Sequence, residues 1–152
     1  MSNSKPDFDL DQFFPYRAVQ LGERISHTLS AIYSRRFQLS VPEWRVLACV
    51  CQDRPFTAKA VCEVTDLEKA TVSRAVRRLE ERGLIRRTPL PEDQRAQVLS
   101  LTDAGSSLMK ELLPLAYAWE GRLLEALSGQ ELRDFQNIIA KLNRQLTRMA
   151  RE

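Results

Sequence analysis

The twenty residues from Glu68 to Arg87, EKATVSRAVRRLEERGLIRR, restrict the fold more than any other stretch of the chain. Val72, Ala75, Val76 and Leu79 recur at i, i+3, i+4 and i+7, which sets four apolar side chains on one face of a helix. Lys69, Ala70, Thr71, Ser73, Arg74, Arg77, Arg78 and Glu81 fall off that face. Small side chains crowd the first turn and arginines follow. A helix that enters a DNA major groove needs that layout: short side chains for close approach, then guanidinium groups for base edges and phosphates. Gly83 suits the left-handed position just past a helix end. An ordinary solvated amphipathic helix has similar periodicity, so the flanking segments decide between the two.

Upstream, Ser40-Val-Pro-Glu43 reads as a capping box, in which the Ser40 hydroxyl accepts from the Glu43 amide and Glu43 reaches back. The helix it opens places Trp44, Leu47, Ala48 and Cys51 on one face and stops at Gln52-Asp-Arg-Pro55. Thr57 is the expected N-cap of a short helix, Ala58 to Val64, and Thr65-Asp66-Leu67 is the turn into the next helix. Two short helices joined by such a turn make a helix-turn-helix, although the glycine often found in the turn is absent. Past Gly83 the period changes. Leu84 to Thr88 and Gln97 to Leu101 read as two short strands, and the prolines in the connecting loop mark an exposed edge. This hairpin is the expected wing. Arg95 at its tip suits the narrow, strongly negative minor groove of A·T-rich DNA.

Longer helices flank this core. Residues 1 to about 10 are expected to be loosely ordered. A first helix runs from near Asp11 to Phe37, with Leu21, Ile25, Leu29 and Ile32 along one face. Thr102-Asp103 caps another, whose apolar face is Leu108, Leu112, Leu115, Trp119 and Leu123; Pro114 should kink or break it. Ser128-Gly-Gln-Glu131 is a second capping box. It opens a last helix with Leu132, Phe135, Ile139, Leu142, Leu146 and Met149 at heptad spacing. The small winged core cannot cover three such faces, so these helices are expected to build a homodimer interface. The fold expected is mostly α with a small β-hairpin wing. A winged helix-turn-helix DNA-binding domain occupies residues 41–101, and a helical dimerisation region occupies 11–37 and 103–151. A two-fold dimer sets two recognition helices about 34 Å apart on double-stranded DNA, which implies a pseudo-palindromic operator.

Composition narrows the function classes. The 152 residues are 43% hydrophobic and 28% charged, values of an ordinary globular protein. The net charge is only +3, but residues 69–95 hold eight Lys or Arg against four Asp or Glu, so the remainder carries −1. A local basic excess is the footprint of a DNA-binding face. The N-terminus is acidic and lacks a basic stretch followed by an apolar run, and the longest apolar run, Leu112 to Trp119, is too short to span a bilayer. A cytoplasmic protein without membrane contact is expected. There is one histidine, His27, and no glycine-rich phosphate loop, HExxH or serine elbow, so no catalytic site, cofactor or metal is expected. Cys49 and Cys51 point about 200° apart on a helix, and Cys62 lies on the next. Apolar filling suits these thiols better than a disulfide, a metal site or redox sensing.

Taken together, Thr71-Val-Ser-Arg74, Leu79 to Ile85, Asp93-Gln-Arg95 and Leu101-Thr-Asp-Ala-Gly105 resemble the multiple antibiotic resistance regulator (MarR) family of transcription factors. The resemblance spans about Phe13 to the end. It implies a triangular homodimer that recognises palindromic promoter DNA, usually as a repressor, and in many members a small aromatic or phenolic ligand that releases the DNA. By position it implies that Thr71, Ser73, Arg74 and Arg77 face the major groove; Lys69 and Arg78, off the apolar face of the same helix, are expected DNA contacts as well. It also implies that Arg95 enters the minor groove and that Asp93 orients it. Asp93 has a plainer role open to it as well, stabilising its own turn.

Three positions depart from the family pattern. Glu68 stands where Asp is frequent and caps a helix less well. Ala70 replaces a common Ser and removes one DNA hydrogen bond. Gln97-Val98 reverses the usual apolar-then-basic order, which bears on the strand register after the wing tip. The family's ligand tends to sit between the dimerisation helices and the winged domain. Tyr16, Arg17, His27 and Trp44, with Arg24 and Arg45, are the residues expected there, since an aromatic beside a cation suits an aromatic carboxylate or phenol. The competing readings are a cysteine-based redox regulator, a nonspecific DNA binder, and a protein-interaction winged helix.

Overall fold

The computed structural model describes residues 5–93 and 95–152; residues 1–4, and Gln94 within the wing motif, lie outside the described residues. The chain divides into two compact units, one ending at Leu113 and the other running from Pro114 to Glu152.

In the first unit a single 3-10 turn, Leu10–Gln12, is capped by Asp9, whose carboxylate accepts from the Asp11 amide at 3.0 Å. The long helix α1 (Phe14–Phe37) follows with Pro15 in its first turn, where no amide is missed. It ends at Gln38, which adopts a left-handed conformation with φ of 55°. Helix α2 (Val41–Val50) opens with the Ser40–Glu43 capping box in full. Strand β1 (Phe56–Thr57) leads into α3 (Ala58–Thr65), which Thr57 caps at 3.1 Å. Asp66, also left-handed with φ of 55°, makes the turn that a glycine often makes. Helix α4 (Lys69–Glu81) then begins, and Gly83, with φ of 68°, ends the connection to the wing.

Strands β2 (Ile85–Pro89) and β3 (Gln97–Leu101) pair antiparallel from Ile85↔Leu101 to Pro89↔Gln97 without a slip, so the order at Gln97-Val98 leaves the register intact. The hairpin is not alone: β1 pairs with β3 through Phe56↔Leu99, giving a three-stranded sheet in the order β1-β3-β2. Phe56 and Leu99 are both buried at that crossing.

Two helix faces differ from their expected set. In α2 the buried residues are Glu43, Val46, Leu47, Cys49 and Val50, whereas Trp44, Ala48 and Cys51 are half-buried. The cause is that α2 packs against α1, α3, α4 and β3, so no single stripe describes its covered surface. In α5 (Asp103–Leu124) the buried residues are Gly105, Met109 and Leu112, with Leu108 half-buried.

The second unit holds the end of α5 and all of α6 (Gly129–Met149), which the Ser128–Glu131 capping box opens in full. Pro114 lies inside α5, which continues to Leu124. On α6 the heptad stripe is open to solvent: Phe135, Ile139, Leu142, Leu146 and Met149 are each 40% or more exposed. No helix among the described residues is long and apolar enough to cross a membrane.

Candidate nucleic-acid interface

Helix α4 is held from one side only. Val72, Ala75, Val76 and Leu79 are at most 3% exposed and seat the helix on the core. Glu68 precedes it without a side-chain capping bond, so the first-turn amides of α4 are free of the usual Asp or Ser acceptor. Lys69, Ser73, Arg74, Arg77 and Arg78 are exposed, and Thr71 is half-buried.

These side chains occupy two flanks. Thr71, Arg74 and Arg78 line a cleft of about 180 Å³ with Ser40, Pro42, Glu43 and Ala75, against the start of α2. Lys69 and Ser73 line a second cleft of about 370 Å³ with Ala58, Lys59, Cys62 and Val72, against α3. Lys59, absent from the sequence-derived set, therefore stands beside Lys69 and Ser73. Its signal was available as a basic residue in the first turn of the helix before the turn. The Arg74 guanidinium donates to Thr71 Oγ1 at 3.4 Å, a long bond that leaves most of its donors open. Arg77 is engaged one turn along the helix, where its Nε donates to Glu81 Oε1 at 3.2 Å. Both groups are well exposed, so that pair holds Arg77 weakly.

The wing is tied to α4 by Arg87, whose Nε donates to Glu80 Oε1 at 2.8 Å. Its base is pinned by Thr102, whose hydroxyl donates to the Gly83 carbonyl and accepts from the Gly105 amide. At the tip, Asp93 Oδ1 accepts from the backbone amide of Arg95 at 3.0 Å, and the Asp93 carbonyl accepts from Ala96 at 3.1 Å. In the free chain, then, Asp93 shapes the turn. The Arg95 side chain is exposed.

The residues expected at a ligand site do not form one cluster. Trp44 stacks on Tyr33, with ring centroids 5.3 Å apart and planes at 17°. Arg45 donates to Ser26 Oγ at 3.4 Å. Burial raises the Tyr33 phenol above its ordinary 10.0, partly offset by the Arg45 charge. Tyr33 was not singled out from sequence, because a tyrosine on an amphipathic helix carries no mark of its partner. His27 and Arg24 border an open cleft of about 340 Å³ on α1 with Gln20, Glu23 and Thr28. Tyr16 and Arg17 lie near the start of the same helix, about 16 Å from His27 along its axis. Of the thiols, Cys49 is buried, which raises it above its ordinary 9.0; Cys51 and Cys62 are half-buried.

Residues 37–96, from the end of α1 to the wing tip, match the model of the MarR family. The transcriptional regulator HosA of Escherichia coli O111:H- is 28% identical over 104 residues, which is 68% of this chain and 77% of HosA. The crystal structure of a MarR/EmrR family transcriptional regulator from Acinetobacter sp. ADP1 superposes with a TM-score of 0.84 at 24% identity, over 93% of this chain and 99% of that one. The PcaV transcriptional regulator from Streptomyces coelicolor, solved with its natural ligand, superposes with a TM-score of 0.73 at 22% identity, over 91% and 97% of the two chains. The family and these relatives are transcriptional regulators rather than enzymes. With its winged helix, its match to the MarR family model over residues 37–96 and the fold it shares with these proteins, the chain is similar to the MarR-family transcriptional regulators.

Proposed function

We propose that the chain acts in the cytoplasm as a homodimeric repressor that reads a pseudo-palindromic operator through α4 and the wing. The observation that carries the reading is the division of α4 into a buried apolar face and an exposed face bearing Lys69, Ser73, Arg74, Arg77 and Arg78, with Thr71 half-buried at its edge. In this reading Arg74 reads a base edge from its open guanidinium, Lys69 and Arg78 hold phosphates, and Arg95 enters the minor groove. Asp93 supports Arg95 by fixing the turn that carries it. Residues 41–101 form the DNA-binding domain, and 11–37 with 103–151 the dimerisation region. The exposed stripe on α6 supports the dimer, because a row of large apolar side chains at heptad spacing is stable in water only when a partner covers it.

A small aromatic ligand completes the reading, with Trp44 as its contact where α1 meets α2; Tyr16, Arg17 and His27, spread along α1, do not share that pocket within one chain. The ligand held by the PcaV relative supports it, and so does the aromatic–cation grouping of Trp44, Tyr33 and Arg45 where α1 meets α2. A ligand with higher affinity for a dimer of different helix spacing lowers DNA affinity by that difference.

The test begins with a footprint of the purified protein on DNA upstream of its own gene. Protection of a pseudo-palindrome is expected, and Arg74→Ala should then cost about 1–3 kcal/mol and relax preference at one base position. Lys69→Ala should weaken binding evenly across sequences and reduce the salt slope by about 1. Equal affinity of Arg74→Ala for the operator would remove its role as base reader.

A further inference from the structure

Arg82, the first residue past α4, joins three elements that are far apart in sequence. Its Nη2 donates to the Phe37 carbonyl at 2.9 Å and its Nη1 to the Gln38 carbonyl at 3.1 Å. The same Nη1 lies 3.8 Å from Glu43 Oε2. Phe37 and Gln38 end α1, and Glu43 sits in the first turn of α2. Carbonyls at a helix C-terminus have no partner within the helix and carry its negative end, so a guanidinium fork matches them in geometry and charge. Glu43 is itself immobilised: its side chain is 7% exposed, and its Oε1 accepts from the Ser40 hydroxyl at 2.7 Å. One guanidinium thus fixes the end of the recognition helix to the end of the long helix α1, across a separation of 44 and 45 residues.

We propose that Arg82 is a positioning residue for DNA recognition: it sets the place of α4 relative to α1, and with it the distance at which two recognition helices meet DNA. This rests on the dimeric DNA-binding reading. Along the chain α1 reaches α4 only through α2, β1, α3 and three connecting segments, whereas Arg82 spans the same junction in one side chain. A displacement of α1 is therefore passed to α4 through a rigid contact. A plain helix cap would add stability and nothing else, and the two roles separate by experiment.

The experiment measures equilibrium binding of the full chain to duplexes whose two half-sites are moved together or apart one base pair at a time. Wild type, Arg82→Gln and Arg82→Lys are compared. Wild type should show a sharp optimum. Arg82→Gln should bind the optimal duplex roughly two- to thirty-fold more weakly, the range for residues that carry coupling, and lose less at the other spacings, so that its profile flattens. Arg82→Lys, which keeps the charge but not the fork, should fall between, and it carries the test if Arg82→Gln does not fold. A variant profile parallel to that of wild type would overturn the proposal and leave Arg82 a structural cap or a phosphate contact. A wild-type chain with no spacing optimum would instead remove the dimeric reading on which the proposal rests.

Discussion

Arg87 in the first wing strand and Glu80 in helix α4 meet at 2.8 Å, so the wing and α4 are fastened to each other within the free chain. Both side chains are about one-third exposed, at 37% and 34%. Water screens a pair of that kind, and Glu80→Ala should lower unfolding free energy by less than about 1 kcal/mol in urea titrations. Its larger effect should fall on the wing. With Arg87 released, the hairpin should show faster amide exchange from Ile85 to Thr88 while the buried face of α4 keeps its protection. Unchanged exchange in the wing would show that the β2–β3 ladder alone fixes it.

Gly105 sits where α5 starts against the wing base. A Cβ there would overlap the carbonyl oxygen of Leu84, which is backbone and has no rotamer to yield. Gly105→Ala should therefore cost about 1–3 kcal/mol or more, although alanine ordinarily favours a helix interior over glycine. Chemical denaturation reads this directly, and a neutral or stabilised variant would contradict the close packing of α5 on the Leu84 carbonyl.

Local patterns in the chain were legible where the partners are local. The capping boxes at Ser40 and Ser128 and the face Val72, Ala75, Val76 and Leu79 follow from spacings of three and four residues, and all form. What was not legible depends on distant partners. Strand β1 is two residues long, carries no period, and exists because Phe56 meets Leu99. The covered surface of α2 is set by four neighbours, which no helical stripe encodes. The partners of Arg82 are backbone carbonyls 44 and 45 residues away, and a carbonyl has no letter in the sequence. The missing turn glycine is resolved by Asp66, one of the residue types that tolerates the left-handed conformation.

The Tyr33 phenol is held above its ordinary 10.0 by burial, so the folded chain keeps this proton at pH values where the unfolded chain loses it. Its contribution to stability is complete below about pH 10 and is lost as the pH rises through the folded value. Cys49 acts with the same sign from its ordinary 9.0 upward. Urea midpoints measured from about pH 8 to about pH 11 should fall, and less steeply in Tyr33→Phe. An identical alkaline slope in that variant would assign the fall to other groups.

Leu142 lies in the middle of the exposed α6 stripe and is 40% exposed. Leu142→Glu replaces none of the buried core residues but sets a carboxylate in the proposed dimer interface. Sedimentation should show a monomer with unchanged helix content, and operator affinity should fall roughly a hundredfold or more as two-site binding is lost. A variant that remains dimeric and binds as wild type would place the interface elsewhere.

The exposed face of α4 should read sequence and not charge alone. The direct measurement is competition between the footprinted operator and a scrambled duplex of the same length and composition, at near-physiological salt. The operator should be preferred by roughly three decades or more, with a preference that persists as salt is raised. Equal displacement by both duplexes, with affinities that fall together as salt increases, would contradict it and leave a basic surface without sequence recognition.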